Sequence, residues 1–563
     1  MSNLDWLVLL GTLSFIVIYG VWKTRGSRNI KDYLLGNNEL KWWTIGLSVM
    51  ATQASAITFL STPGQAYVDG MRFLQFYLGL PIAMVILCIT FIPLYYKLKV
   101  YTAYEFLESR FDLKTRTLAA TLFLIQRGLA AGITIYAPAI ILSTLLDWNL
   151  TYTILVIGTL VIVYTVSGGT RAVSVTQKQQ MIVIMSGMVI AFLMIVSYIP
   201  VSFGEALQVA GKMGKLDAID FSFDFSDRYN FWSGITGGLF LALSYFGTDQ
   251  SQVARYISGR SIRESRLGLI FNGLLKVPMQ FFILLVGVMV FVFYQFTQPP
   301  IFFNQVEKNA LYQTEYRQDL EDLEKRYDAV FVEKKGHVNE LVTALKADNE
   351  TRISQTQNKI EASQQKIGDI RQEVKNLIAK SNPEAELNDK DYVFLTFVLN
   401  HLPHGLIGLL LAVIFSAAMS STSSELNALA STTTVDLYKR SLKKDGDEKH
   451  YLQASKFWTV FWGLLAILFA SYAHLFDNLI QLVNWLGSIF YGTILGIFIA
   501  AFYVKSIKAN AVFYAALLAQ ALVLTLNFTS NIGYLWFNVI GSVAVIVFGL
   551  ILQTFIKTPI KEV

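Results

Sequence analysis

Apolar segments of membrane-crossing length recur from one end of this 563-residue chain to the other, and no other feature limits its folding so tightly. A helix of about 20 apolar residues spans a hydrocarbon layer of about 30 Å. Hydropathy places such segments near residues 4–22, 41–66, 73–96, 116–146, 151–167, 178–200, 231–253, 268–296, 395–437, 454–473, 477–504, 509–526 and 531–555. Backbone polar groups in hydrocarbon need internal partners, so the expected fold class is an all-α membrane protein with about thirteen transmembrane helices. Charged residues are only 15% of the chain, against about a quarter in soluble domains, which argues against a soluble globule.

Orientation follows from where the basic residues fall. Lys23, Arg25, Arg28 and Lys31 follow the first span, and Lys97, Lys99, Arg110, Lys114 and Arg116 the third. Arg255, Arg260, Arg263 and Arg266 follow the seventh, and Lys439, Arg440, Lys443, Lys444 and Lys449 the ninth. Alternate connections, around Asp69, Asp147, His474 and Asn527, are not basic. The positive-inside rule then predicts a multi-pass plasma-membrane protein with its N-terminus outside and its C-terminus, with Lys557 and Lys561, in the cytoplasm. The formal charge of +6 is loop charge and calls for no nucleic acid. With Asp5 beside it and no basic residue before it, the first span reads as an anchor and not a cleaved leader. Cys88 is the single cysteine, which excludes an intrachain disulfide. No Gly-Lys-Ser/Thr phosphate loop appears, so an ATP-driven pump would have no motor in this chain. His401 and His404 form a His-Leu-Pro-His pair that reads as a helix-entry turn and not a metal site.

The polar segment 304–391 interrupts the pattern. Tyr316, Leu320, Leu323, Tyr327 and Val330 step by four and three, and Ile353, Ile360, Ile367, Ile370, Val374 and Leu377 continue a heptad spacing. Two helices are implied, with Lys335-Gly336 and Asp348-Asn349 as candidate breaks. The expected form is an extracytoplasmic, coiled-coil-like helical hairpin, either self-contained or a surface for a protein partner or self-association. It separates units at 1–40, 41–303, 304–391, 392–505 and 506–563.

Within the ninth span, an apolar stretch from Leu406 to Phe415 leads to Ser420, Ser421, Thr422, Ser423 and Ser424. Unsatisfied polar groups at that depth cost several kcal/mol. The Ala417 carbonyl lies on one helical face with the Ser420 and Ser421 hydroxyls, a patch of uncharged oxygens suited to a weakly held alkali cation. The second span is interrupted by Thr52, Gln53, Ser55 and Thr58, with Gln53 roughly 18 Å beyond Lys41 by helical rise. Transporter sites lie near the midplane on such broken helices, so carbonyls of Ala51 and Ala54 are candidates to complete the oxygen shell. Small and hydroxylated residues also serve close packing between membrane helices, an alternative the residues alone leave open.

The chain resembles the sodium:solute symporter family, which includes sodium/glucose, proline, pantothenate, iodide and sialic acid transporters. The resemblance rests on the span order, on Tyr164-Thr-Val-Ser-Gly-Gly169, on Gly247-Thr-Asp-Gln-Ser-Gln-Val-Ala-Arg255, and on the serine-rich ninth span ending Val435-Asp-Leu-Tyr-Lys439. It implies a leucine-transporter-like inverted-repeat core of ten helices, here spans two to eleven. It also implies a sodium site at Ala51, Ala54, Ala417, Ser420 and Ser421. Some members bind a second sodium, for which Ser423 and Ser424 match. The acidic position of that second site corresponds to Gln177, whose neutral amide favours a single sodium. Glu425 beside it is a candidate substitute charge.

Arg127 lies in the fourth span, about 16 Å from Arg116 by helical rise, and a guanidinium at that depth must be paired or watered. The sialic acid branch resembles this arrangement, which implies a substrate site of Gln53, Ser55, Thr58, Gln75, Arg127 and Tyr245, with Arg127 on a solute carboxylate. Tyr245 matches the inner gate and Lys276 a core lysine. Positions matching the sugar site are mostly changed, at Gln53, Thr58, Tyr77, Ala242 and Val483. The other reading of Arg127 is structural, as a pair with Glu425 or a cap on carbonyls. The expected activity is therefore sodium-coupled import of a small carboxylate-bearing solute by alternating access. A neutral sugar or polyol symporter is the alternative, and a transporter-like sensor acting through the hairpin is a reading of another class. A passive channel is disfavoured because the polar residues cluster at one depth, and no output domain follows Val563 to serve a sensor.

Overall fold

The structure is a computed structural model that describes residues 1–24, 40–98, 100–146, 148–383, 385–472 and 478–556, without the side chains of 17, 19–24, 167–176 and 178. Arg25, Arg28, Lys31, Lys99, Lys557 and Lys561, like Asp147 and His474, lie outside the described residues, as does the side chain of Lys23.

The described chain is helical, with one isolated bridge between Leu40 and Gly259 in place of any sheet. It begins with α1 (Asn3–Thr24), α2 (Trp42–Gln53) and α3 (Ala56–Asp69), then a 3-10 segment, Gly70–Tyr77. Next come α4 (Leu80–Ile89), α5 (Phe91–Leu98), α6 (Glu105–Arg110), α7 (Leu113–Leu146), α8 (Leu150–Tyr198) and α9 (Phe203–Lys212). A π-helical turn, Ser233–Gly238, leads into α10 (Leu239–Thr248), α11 (Gln250–Ile257) and α12 (Ile262–Phe296). After α13 (Gln305–Leu311), α14 (Arg317–Lys346), α15 (Glu350–Ser381) and a short 3-10 turn, Lys390–Tyr392, the chain continues through α16 (Val393–His401) and α17 (Leu406–Thr432). A π-helical extension of α17, Thr433–Leu442, then α18 (Glu448–Ala470), α19 (Leu479–Tyr503), α20 (Ala509–Thr529) and α21 (Leu535–Phe555) complete it. Among the described residues, nine helical runs are long and apolar enough to cross a membrane.

Four expected spans are built differently. Segments 151–167 and 178–200 lie on the single helix α8, because no proline falls within it and Asn149 caps only its start, accepting from the Thr151 amide at 2.9 Å. Segment 231–253 is not continuous but divides at Asp249, where the backbone turns extended and the carboxylate caps α11. Segment 395–437 is likewise two helices, parted by Leu402-Pro-His-Gly405 with Gly405 at φ 88°, a conformation suited to glycine. There the His404 ring meets Asp5 at 3.0 Å and the Asp5 carboxylate accepts from the Gly405 amide at 2.6 Å, which ties α1 to the start of α17.

The second span breaks after Gln53: Ala54 and Ser55 leave helical geometry, with Ser55 extended at ψ 177°. Both halves, α2 and α3, pack against α12 and α17, and α17 is flanked by α7 and α8. Helices α14 and α15 pack along each other and are joined through Ala347–Asn349. Asp348 there adopts φ 50° and the Asn349 side chain accepts from the Arg352 amide at 3.0 Å. Lys335 and Gly336, expected as a possible break, continue α14 without interruption. The facing rows are buried, among them Leu320, Leu323, Tyr327, Ile360, Ile367, Ile370 and Val374, whereas Val330 and Leu377 are only partly covered.

Candidate functional site

The break at Ala54-Ser55 faces a cavity of about 80 Å³, and the break at Asp249 reaches its wall through an ion pair with Arg127. Its wall takes Thr52, Gln53, Ser55 and Thr58 from the first break, Arg127 and Thr134 from α7, and Tyr245 from α10. Glu425 of α17 and Asn484 and Tyr491 of α19 close the rest. Of the residues expected at a solute site, Gln53, Ser55, Thr58, Arg127 and Tyr245 therefore line one cavity. Gln75 does not line it. Its amide sits in the 3-10 segment, donates to the Tyr229 carbonyl at 2.8 Å and accepts from the Asp220 amide at 2.8 Å, so its hydrogen-bonding capacity is spent on holding a loop.

Arg127 is the charged centre of the cavity wall. It is 3% exposed and shares its guanidinium between two buried carboxylates, pairing with Asp249 through Nη2 and with Glu425 Oε1 through Nη1 at 3.0 Å. Nη2 also donates to the Tyr491 hydroxyl at 2.6 Å, and the guanidinium carbon lies 5.3 Å from the centre of the Tyr245 ring. Asp249 is held in turn by the Tyr491 hydroxyl at 2.8 Å and by the Ser251 amide and hydroxyl at 2.9 and 2.7 Å. The second oxygen of Glu425 accepts from the Thr134 hydroxyl at 2.8 Å. Every oxygen of the pair thus has a partner, while Arg127 Nε has none. Removing one partner from such a buried ionic group costs about 3–5 kcal/mol, because a charge is left behind in a poorly solvating site.

A second cluster joins the first break to the hydroxyl run. Gln177 of α8 donates from Nε2 to the Thr52 hydroxyl at 3.0 Å and to the Ser424 hydroxyl at 3.3 Å, and its Oε1 accepts from Ser48. Ser421 Oγ donates to the Ala417 carbonyl at 2.9 Å, which leaves its lone pairs unused, and Ser420 Oγ is buried with no hydrogen-bond partner. Ser423 Oγ is equally unpartnered, and Ser424 donates to the Ser420 carbonyl at 2.8 Å. The Ala51 and Ala54 carbonyls stand where the i to i+4 ladder of α2 stops. Orphaned hydroxyl oxygen and ladder-end carbonyls, without a carboxylate among them, form a donor set suited to an alkali cation and not to a transition metal. Among the described residues no group of three His, Cys, Asp or Glu side chains is placed to hold a metal.

Asp249, Tyr491, Asn484 and Thr134 were not singled out from the sequence. A carboxylate inside an otherwise apolar span was the available signal for Asp249. Nothing in local pattern distinguishes Tyr491 or Asn484 from other residues of α19, whose approach to α7 is a tertiary event.

Discontinuous helices that bring polar and charged side chains to one cavity within a bundle of apolar helices define a secondary transporter. The sequence model described as the sodium:solute symporter family matches residues 33–307 and 378–519, and the gap between the two stretches contains α14 and nearly all of α15. The chain belongs to the sodium:solute symporter family and is a sodium-coupled, multi-pass membrane transporter. It is 25% identical to the sodium/sialic acid symporter SiaT of Proteus mirabilis, over 97% of this chain and 94% of that protein. It is also 25% identical to the sodium/sialic acid symporter NanT of Aliivibrio fischeri, over 100% and 95%. The human sodium/iodide cotransporter is 32% identical over 49% of this chain and 42% of its own length. The solved structure of a substrate-bound, outward-open sodium-coupled sialic acid symporter superposes with a TM-score of 0.76 at 23% identity, covering 99% of this chain and 98% of that one, a likeness of fold.

Proposed function

We propose that this symporter imports a small carboxylate-bearing solute of the sialic acid kind, with the carboxylate received by Arg127. The observation that carries this reading is a buried guanidinium in the wall of the cavity, opposite the amide and hydroxyls of Gln53, Ser55 and Thr58. The two near-full-length relatives are sodium/sialic acid symporters, which favours the same solute class. Arg127 already holds Asp249 and Glu425, so an incoming carboxylate takes the place of Glu425 at Nη1 and uses the unpartnered Nε as well, while Asp249 and Tyr491 keep the guanidinium oriented. Glu425 then falls back on the Thr134 hydroxyl. At about 80 Å³ the cavity is smaller than the ~300 Å³ where small-molecule sites begin, so solute entry requires the broken helices to separate.

Sodium at Ala51, Ala54, Ala417, Ser420 and Ser421 would bridge α2 to α17 and favour the state that receives solute, and solute would tighten sodium by the same factor. Gln177 occupies the second-site position with an N–H donor aimed at Thr52 and Ser424, which supports one sodium per cycle. An inverted-repeat core of the leucine-transporter kind, an outer N-terminus and an extracytoplasmic hairpin, as a self-contained unit or a docking surface, complete the proposal. Tyr245, packed on Tyr491 at 6.0 Å and accepting from Gln252 at 2.6 Å, serves as the inner gate.

Uptake of labelled N-acetylneuraminate into proteoliposomes, with and without a sodium gradient, is the direct test. Arg127→Gln is expected to abolish accumulation and Glu425→Gln to lower the KM by removing the competitor. Unchanged uptake in Arg127→Gln would remove the carboxylate reading. The prior neutralisation of Arg127 favours one alternative, a neutral sugar or polyol bound by Gln53, Asn484, Ser55 and Thr58. In that case uncharged sugars accumulate and outcompete the acid.

A further inference from the structure

A far larger cavity, about 750 Å³, lies where α14 and α15 meet α3, α12 and the turn after α9. Its size falls within the roughly 300–1,000 Å³ of small-molecule sites. Tyr67, Phe291, Phe303 and Tyr327 supply aromatic surface, with the Tyr67 ring edge-on to Phe291 at 5.7 Å and to Phe303 at 5.6 Å. Six cationic side chains against three acidic ones line the cavity, so its charge is positive. Several of the cations are engaged: Arg371 is ion-paired with Asp389, Lys212 pairs with Glu350 at 3.6 Å, and Lys215 donates to the Val68 carbonyl.

Lys334 is different. It is only 4% exposed, lines the cavity, and has no hydrogen bond or ion pair among the described residues. Burial above all, with Lys215 and Arg371 adding like charge, brings its ammonium down to about 7. A buried cation of this kind is costly without a counter-charge, and here the protein brings more cations beside it instead. The open space before it is large enough to admit a small organic acid.

We propose that this cavity is a second solute site, which takes a small organic carboxylate on Lys334 and rests the body of that solute on the rings of Tyr67, Phe291, Phe303 and Tyr327. Tyr67 is nine residues beyond Thr58 on α3, about 14 Å by helical rise, so the two cavities stand in line along one helix and the larger one is an antechamber on the hairpin side. The family match omits most of the hairpin, so the residue on which this site turns, Lys334, belongs to the insertion and not to the shared core. The site stands whether or not the transported solute is itself an acid.

Isothermal titration calorimetry of the full purified chain in sodium buffer tests this, with N-acetylneuraminate and inorganic phosphate as probes. In Arg127→Gln, which disables the central cavity, a binding event for N-acetylneuraminate is expected to remain, and the further change Lys334→Met is expected to weaken it at least tenfold. Phosphate at equal concentration should not displace the acid. Lys334→Gln, read in parallel, guards against a folding defect in the first variant, and a preserved sodium-dependent melting shift reports the intact fold. An isotherm indifferent to Lys334 in either background, or phosphate that competes as well as the acid, overturns the proposal. The effect of Arg127→Gln alone judges the transport reading, so each can fail without the other.

Discussion

Ser420 and Ser421 are adjacent in sequence yet differ in what they hold. Ser421 spends its proton on the Ala417 carbonyl, whereas Ser420 Oγ is buried without a hydrogen-bond partner among the described residues. Ser420→Ala is expected to raise the sodium concentration for half-maximal uptake about tenfold, equivalent to ~1.4 kcal/mol, with little change at saturating sodium. A sodium dependence like that of the wild type would dismiss the site. Gln177 offers a complementary experiment. Its Nε2 donates to Thr52 and Ser424, and Gln177→Asp replaces that donor with a carboxylate that attracts a cation. The Hill coefficient for sodium is expected to rise from about one toward two, and a value fixed at one would show that the serines beyond Ser421 are not ligands. At this scale the sequence was legible where a polar residue interrupts an apolar run, as with Ser55, Thr58 and Arg127. It misplaced Gln75 at the solute site, because the amide is consumed by Tyr229 and Asp220 from a loop 145 or more positions away.

Between elements, the positions of the breaks and the closeness of the helices decide function. Gly64 on α3 lies so near the Lys390 carbonyl that an added Cβ would stand 2.0 Å from it, and a Cβ on Gly287 would stand 2.3 Å from the Pro63 carbonyl. The seat of α3 against α12 and the Lys390–Tyr392 turn therefore depends on two missing side chains. Gly64→Ala is expected to lower the melting temperature in detergent and to reduce uptake, since overpacking costs about 1–3 kcal/mol. Gly336→Ala is the control. Nothing lies within 4 Å of that Cβ in the middle of α14, so it should stabilise by about 1 kcal/mol through helix propensity. Equal effects from the two would refute the close-approach account. Periodicity revealed both hairpin helices but misjudged Gly336 as a break, because one glycine in a well-packed helix costs less than the row of buried contacts returns. It also took 231–253 for one span, since the apolar run before Asp249 outweighed the one local signal, the carboxylate that caps α11.

Over the whole molecule, the end of the hairpin segment and the start of α19 in the core meet near Glu386 and Asp391. The Glu386 carboxylate accepts from the Tyr392 hydroxyl at 2.6 Å, and Asp391 accepts from Asn478 at 3.0 Å and from the Leu479 amide at 3.2 Å. Burial pushes the Glu386 carboxyl up to about 8 and that of Asp391 up to about 6. Both values are raised on folding, so the folded chain keeps protons that the unfolded chain has already lost. Their stabilising contribution is complete at acid pH, below the ordinary carboxylate range, and is lost as pH climbs through about 6 and then about 8. Glu386→Gln, neutral at every pH, is expected to flatten the fall in melting temperature between roughly pH 5 and 9. Parallel melting curves for the variant and the wild type would exclude that role. The sequence by itself determined that the chain is helical and membrane-embedded, which elements carry hydroxyls at depth, and which family it belongs to. Those properties follow from solvation and from residues close together along the chain. Only the tertiary structure decided that Arg127 is shared between Asp249 and Glu425, that Gln177 bridges α2 and α17, and that Lys334 faces a cavity without a partner. Each of these joins residues more than a hundred positions apart or surrounds one side chain with several elements, and no local pattern encodes such a meeting.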